Sequence, residues 1–88
     1  MIRRELEIRN KLGLHARAAA KFVRCAGTFE SRVSVIRGEM EVDGKSIMGV
    51  LLLAAPQGSV LTVVVDGADE DAAVAALANL VDDKFGED

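Results

Sequence analysis

The 88 residues suit one small domain over 1–88, half apolar, whose core can fold but cannot enclose a deep substrate cleft. A net charge of −3 and the absence of Trp and Tyr argue against nucleic-acid binding, because the chain offers neither a phosphate-tracking groove nor stacking platforms. The single cysteine, Cys25, excludes an internal disulfide and fits a reducing cytoplasm, and no apolar segment predicts membrane insertion.

The spacing of apolar residues predicts four elements in the first half of the chain. Alternation over residues 2–8 indicates a strand with one buried face. Helical spacing follows over residues 16–26. Two more strands, Arg32–Arg37 and Met40–Val42, are separated by a tight turn at Gly38.

The second half of the chain predicts two helices around one strand. Ser46 is placed to cap a short helix, Ile47–Leu53, which is apolar nearly all round and is therefore expected to expose part of its surface as a contact. The β-branched run Val60–Val65 suits the centre of a sheet. A last helix begins near Asp69, and Gly86 lies past its end before a short acidic tail. The order β-α-β-β-α-β-α predicts an α+β fold with helices on one sheet face.

The only histidine, His15, lies at the predicted start of the first helix, within Gly13–Val23. Unpaired N–H groups, the positive end of the helix dipole and the guanidinium of Arg17 would attract an anion there, and phosphate is the usual one. A histidine in this place can carry a phosphoryl group on a ring nitrogen. Neither a catalytic triad nor a metal site is predicted, because no nucleophile and acid accompany His15 and Cys25 is a poor second ligand.

Basic residues are concentrated in the half of the sequence that holds His15. Residues 1–46 contain ten Lys and Arg against six Asp and Glu, whereas residues 47–88 contain one against eight. Such a field would steer an acidic partner toward His15, although an ordinary solvated surface accounts for most of these charges apart from Arg17.

Two motifs together resemble the HPr family, the histidine phosphocarriers of the phosphoenolpyruvate-dependent phosphotransferase system: Gly13-Leu14-His15-Ala16-Arg17 and Lys45-Ser46-Ile47-Met48-Gly49-Val50. The resemblance spans nearly the whole chain and includes the spacing between the motifs. It implies an open-faced β-sandwich, with a four-stranded antiparallel sheet and three helices on one face. It also implies a monomeric carrier without a cofactor, rather than a turnover enzyme.

The roles known in the family fall on matching residues. His15 resembles the histidine that enzyme I phosphorylates on Nδ1 with phosphate from phosphoenolpyruvate, and Arg17 resembles the arginine that contacts that phosphate. Ser46 resembles a regulatory serine phosphorylated by an ATP-dependent HPr kinase/phosphorylase, although it is a good N-cap with or without a kinase. The resemblance also implies a patch that docks enzyme I and EIIA-type acceptors, formed by Ile47, Met48 and Leu51 with Ala20, Arg24 and Lys45 around it.

Ala18 departs from the family pattern, because most sugar-branch members carry proline there. The run Ala18-Ala19-Ala20 resembles the nitrogen-branch, NPr-type members of proteobacteria, which pass phosphate to regulatory EIIA proteins rather than to a sugar permease.

Two other functions remain open: a regulatory binding module whose His15 is never phosphorylated, and a small ligand-binding domain. Retention of both His15 and Arg17 favours the carrier, and no pocket signature supports ligand binding.

Overall fold

This computed structural model describes residues 1–87, which contain four strands and three helices joined by loops and turns. The strands are β1 (Ile2–Glu7), β2 (Arg32–Arg37), β3 (Met40–Asp43) and β4 (Val60–Asp66), and the helices are α1 (Ala16–Gly27), α2 (Ile47–Leu52) and α3 (Glu70–Asp82). A 3₁₀ turn, Lys84–Gly86, follows α3. The predicted element order is confirmed. Within residues 1–87, no helix combines the length and apolar character needed to cross a membrane.

The four strands form one antiparallel sheet in the order β1-β4-β2-β3. β4 pairs on both sides, with Leu61 opposite Leu6 of β1 and Val63 opposite Val35 of β2. All four of these side chains are buried, which places them on the face that the helices cover. The alternate residues of β2 and β4 are only half-buried or exposed, because they lie on the open face. The central position predicted for β4 and the one-sided helical layer are confirmed.

The core fills the space between the sheet and the helices. α1 contributes mostly alanines and a single large side chain, Phe22, while α3 contributes Val74, Leu77 and Val81. Since alanine is small, the backbone of α1 can pack closely against its neighbours. A core of aliphatic side chains with few aromatic rings is what the composition predicts.

Two helix ends differ by one residue from the sequence prediction. α1 continues through Gly27, and the Thr28 N–H and hydroxyl then both donate to the Cys25 carbonyl, at 3.1 Å and 2.7 Å. α2 ends at Leu52, and the Leu53 N–H donates three residues back, to the Val50 carbonyl at 3.2 Å. Hydrogen bonding rather than apolar spacing decides these boundaries.

Gly13 joins the loop before α1 to the loop after α2. Its φ is +67°, and a Cβ added there would lie 2.5 Å from the Ala55 carbonyl oxygen. The next residue, Leu14, donates its N–H to the same oxygen at 2.8 Å. The buried Asn10 holds the loop from the other side, since its Nδ2 donates to the Gly13 carbonyl at 2.7 Å. Only glycine fits this contact, which lies two residues before the N-cap of α1.

Replacing Gly13 tests this constraint. Gly13→Ala is expected to lower the free energy of unfolding by about 2 kcal/mol or more, because the new methyl group meets backbone in a left-handed conformation. Gly27→Ala is the matched control, since nothing lies within 4 Å of a Cβ there. The control is expected to leave the free energy unchanged or to raise it by up to about 1 kcal/mol. Urea unfolding followed by circular dichroism measures both, and equal effects would contradict the proposed role of Gly13.

Candidate functional site

His15 is the N-cap residue of α1. Its backbone is extended, with φ −77° and ψ 179°, and its carbonyl accepts the first helical hydrogen bond, from the Ala19 N–H at 2.8 Å. Its side chain does not cap the helix, and within residues 1–87 no hydrogen bond satisfies the N–H groups of Ala16, Arg17 and Ala18. The imidazole, 27% exposed, therefore lies beside free donors and the positive end of a helix dipole.

A shallow surface depression surrounds the imidazole. Its walls come from the loop before α1, the first turns of α1 and the segment after α3. Three cations and one carboxylate line it, so its field favours an anion. Within residues 1–87 no side chain pairs with the Arg17 guanidinium, which is exposed and free to contact a ligand. The lining residues besides His15 are Lys11, Leu12, Ala16, Arg17, Lys21, Gly86 and Glu87.

The carboxylate in the depression belongs to Glu87, which the sequence pattern placed in an acidic tail. Its Oε2 lies 2.6 Å from His15 Nε2, and its Oε1 accepts from Asn10 Nδ2 at 3.0 Å. Burial tends to raise the pKa of Glu87, but the hydrogen bonds from Asn10 and His15, with the charge of Lys21, outweigh burial and hold that pKa below its usual range. An ionised carboxylate can only accept, so Nε2 is a protonated ring nitrogen, and in the neutral ring this leaves the lone pair on Nδ1.

A left-handed turn brings Glu87 back to His15. The three residues before it have positive φ angles, 57° at Lys84, 55° at Phe85 and 74° at Gly86. The Phe85 side chain is buried in the core, and Lys21 Nζ donates to the Phe85 carbonyl at 2.6 Å. Sequence reasoning missed this contact. A large apolar residue directly before glycine, past the end of a helix, was the available signal that the segment docks.

The charge separation along the sequence is not a separation in space. Glu87 comes from the acidic half of the chain but lies inside the His15 depression. In the same way, Arg9 of the basic half pairs with Asp82 of α3, with Nε and Oδ1 3.1 Å apart. The expected basic field around His15 is therefore partly neutralised by a carboxylate in direct contact with the ring.

Ser46 is the N-cap of α2, and its Oγ accepts from the Gly49 N–H at 3.2 Å. Its neighbour Lys45 is engaged with the end of α1, because Nζ donates to the Phe29 carbonyl at 2.7 Å. The end of α2, in contrast, is tied to the start of α1 through the loop contact at Gly13. The two helices thus run in opposite directions, and Ser46 lies toward the other end of α1 from His15. The structure does not bring these two residues into one site.

The predicted exposure of α2 is confirmed. Ile47 is 39% exposed and Met48 is 68% exposed, whereas Leu51 is only half-buried. On α1, Ala20 is half-buried and Arg24 is exposed. Sequence reasoning did not include Leu52, which is 64% exposed. Its position four residues after Met48, on the same face of the helix, was a signal that could have found it.

Cys25 is a packing residue. Its half-buried thiol lies in a groove between α1 and α3, and burial raises its pKa, so the reactive thiolate is disfavoured. As for metals, no three His, Cys, Asp or Glu side chains within residues 1–87 cluster closely enough to hold an ion.

Comparison with known proteins identifies the class to which this fold and site belong. A family model described as the PTS HPr component phosphorylation site matches residues 2–83. The chain is 52% identical over 87 residues to the phosphocarrier protein HPr of Cupriavidus necator, with 99% of this chain and 98% of the relative covered. It is 41% identical over 86 residues to the phosphocarrier protein NPr of Shewanella violacea, with 98% and 94% covered.

Comparison with solved structures leads to the same class of protein. A crystal structure of HPr-C-His from Thermoanaerobacter tengcongensis matches with a TM-score of 0.96 and 44% identity, over 100% of this chain and 99% of the other. The chain therefore belongs to the HPr family, the phosphocarrier proteins of the phosphotransferase system. The family resemblance and the open-faced β-sandwich expected from the two motifs are confirmed.

Proposed function

We propose that this chain is a cytoplasmic, monomeric carrier that accepts a phosphoryl group on Nδ1 of His15 from phosphorylated enzyme I and passes it to an EIIA-type protein. Phosphoenolpyruvate is the original donor. One observation supports this most directly: His15 is partly exposed at a helix start, with Nε2 held by Glu87 and with no hydrogen bond to Nδ1 from residues 1–87. One HPr domain over residues 1–88 suffices for this role.

The site is suited to holding phosphate only moderately. As Nδ1 attacks phosphorus, the bond between phosphorus and its group on enzyme I breaks. The free N–H groups at the start of α1 and the Arg17 guanidinium are placed to bind the phosphoryl oxygens. Because the depression is shallow and Arg17 is exposed, water competes for these contacts, which keeps the phosphoryl group available to the next protein.

Donor and acceptor proteins are proposed to dock in turn on one exposed apolar surface. Leu12, Met48 and Leu52 are each more than 60% exposed, and methionine adapts its shape to different partners. Arg17 and Arg24 add exposed positive charge, which favours acidic partner surfaces. Ile47, Leu51 and Ala20 extend the surface, whereas the ammonium of Lys45 is already bonded to the Phe29 carbonyl.

A regulatory EIIA protein is the proposed acceptor. Ala18 is completely buried, so its methyl group packs in the core and does not touch phosphate. Its N–H, which a proline would lack, is one of the free donors beside His15. Compared with a proline at position 18, the alanine therefore adds a backbone N–H donor to the proposed phosphate site and no side-chain contact.

His15→Ala tests the carrier function. Incubation with phosphoenolpyruvate and enzyme I is expected to label the native chain in an acid-labile form and to leave His15→Ala unlabelled with an unchanged circular dichroism spectrum, since the ring is partly exposed. Label on the native chain is expected to move faster to a nitrogen-type EIIA than to a sugar-type EIIA. Continued labelling of His15→Ala would refute the assignment. A native chain that stays unlabelled but still binds enzyme I or an EIIA protein would favour the regulatory-module alternative.

Arg17→Ala tests the phosphate contact. The variant is expected to fold normally and to accept phosphate about tenfold more slowly, because one charged contact is lost while the helix donors remain. Arg32→Ala is the control, since it removes the same charge from an exposed position at the start of β2, outside the depression. Initial labelling rates measure the effect. An unchanged rate for Arg17→Ala would show that the helix N–H groups are sufficient.

Ser46 variants separate a structural role from regulation by an HPr kinase/phosphorylase. Aspartate can cap α2 but adds negative charge next to Ile47 and Met48, as a phosphate would. Ser46→Asp is expected to keep its stability but to accept phosphate about five- to tenfold more slowly, because charge repels acidic partners. Ser46→Ala is expected to lose about 1 kcal/mol of stability and to accept phosphate at the native rate. Equal labelling of Ser46-phosphorylated and unmodified protein would contradict the regulatory role.

A further inference from the structure

We infer that Glu87 is a positioning residue for phosphoryl transfer at His15: its carboxylate holds the Nε2 proton, leaves the lone pair on Nδ1, and balances the charge that the ring acquires when Nδ1 bonds to phosphorus. This inference rests on the proposed function of His15. It starts from the 2.6 Å contact between Glu87 Oε2 and His15 Nε2, which joins residues 72 positions apart.

Several contacts hold the Glu87 carboxylate in place. The Phe85 side chain, 1% exposed, anchors the turn in the core, and Lys21 Nζ fixes its carbonyl to α1. Lys84 and Phe85 adopt left-handed conformations that are unfavourable for residues with a side chain, so surrounding contacts must maintain them. Asn10 Nδ2 donates both to Glu87 Oε1 and to the Gly13 carbonyl. The carboxylate is thus attached to the same loop that positions His15.

The charge balance of the reaction explains why a carboxylate is useful at this nitrogen. The Nδ1 lone pair forms the nitrogen–phosphorus bond, and the electron pair of the broken bond leaves with the donor group. Nε2 keeps its proton, so the ring becomes positively charged while Glu87 stays ionised beside it. A hydrogen bond between two charged groups is stronger than one to a neutral ring, so Glu87 stabilises the phosphorylated form. Onward transfer returns the electron pair to Nδ1 and restores the neutral ring.

The negative charge of Glu87 also repels the incoming phosphate, which would slow the transfer. Two features of the site reduce this repulsion. Glu87 contacts Nε2, not the nitrogen proposed to receive phosphorus. Lys11, Arg17 and Lys21 line the same depression and leave it with more positive than negative charge. The two roles predict opposite results when the carboxylate is neutralised, so one substitution distinguishes them.

Glu87→Gln in the full chain is the test, with Asp83→Asn as the matched control. Glutamine has nearly the same shape and keeps an oxygen acceptor but removes the charge. Asp83 lies in the same segment, is exposed, and its side chain caps no helix. Glu87→Gln is expected to accept phosphate from enzyme I about tenfold more slowly, and Asp83→Asn at the native rate. A native or faster rate for Glu87→Gln would overturn the positioning role, and a faster rate would identify Glu87 as a barrier to phosphate.

Nuclear magnetic resonance of the ¹⁵N-labelled protein gives a second measurement that does not depend on transfer. With only one histidine in the chain, its ring signals are assigned directly. The native protein and Asp83→Asn are expected to show a downfield, exchange-protected Nε2–H proton, and Glu87→Gln to show it shifted upfield or in fast exchange. A proton on Nδ1 of the native ring would overturn the inference even if transfer proceeds. A native chain that shows the Nε2–H signal but is never labelled would refute the proposed function, and the positioning role with it.

Discussion

The contact between the loop before α1 and the loop after α2 is the constraint on which the site depends. It exists because Gly13 lets two backbones touch, and it ties the chain down directly before His15. Asn10 extends the constraint, since a single amide group donates to the Gly13 carbonyl and to the Glu87 carboxylate. A flipped amide would point its oxygen at two acceptors, so its orientation is fixed. The amide oxygen, Oδ1, is buried and accepts no hydrogen bond from residues 1–87, so both donors are satisfied at the expense of the acceptor.

The charges around His15 suit the reversible binding of phosphate that we propose for it. A deep pocket with buried, paired cations would hold phosphate strongly and release it slowly. Here the free N–H groups of a helix start, an exposed Arg17 and a carboxylate on the far ring nitrogen supply attraction and partial neutralisation together. The proposed transfer also requires that the donor and the acceptor protein each reach the ring. A partly exposed imidazole beside a surface with exposed Leu12 and Met48 meets that requirement without a cleft.

Local sequence patterns predicted most of the fold, but they did not predict contacts between residues that are distant in the sequence. The strand periodicity of β4, the N-cap at Ser46 and the placement of His15 each depend on a few neighbouring residues, so the sequence displays them directly. The strand order β1-β4-β2-β3 depends on how the connections cross the sheet, and only the central position of β4 was predicted. The return of Glu87 to His15 was missed because Lys84 and Phe85 take left-handed conformations against their own preference. The burial of Phe85 and the bond from Lys21 to its carbonyl are contacts with residues distant in sequence, which local patterns do not display.

The positions of Ser46 and His15 limit how one could influence the other. α1 has 12 residues and is about 18 Å long, and the two residues lie toward its opposite ends. Salt screens exposed charges over about 8 Å at physiological ionic strength, so a phosphate on Ser46 would act only weakly on the chemistry at Nδ1. Between them lies the exposed face of α2, with Met48 and Leu52. A charge at Ser46 is therefore expected to act on docking at the proposed partner surface and not on the imidazole itself.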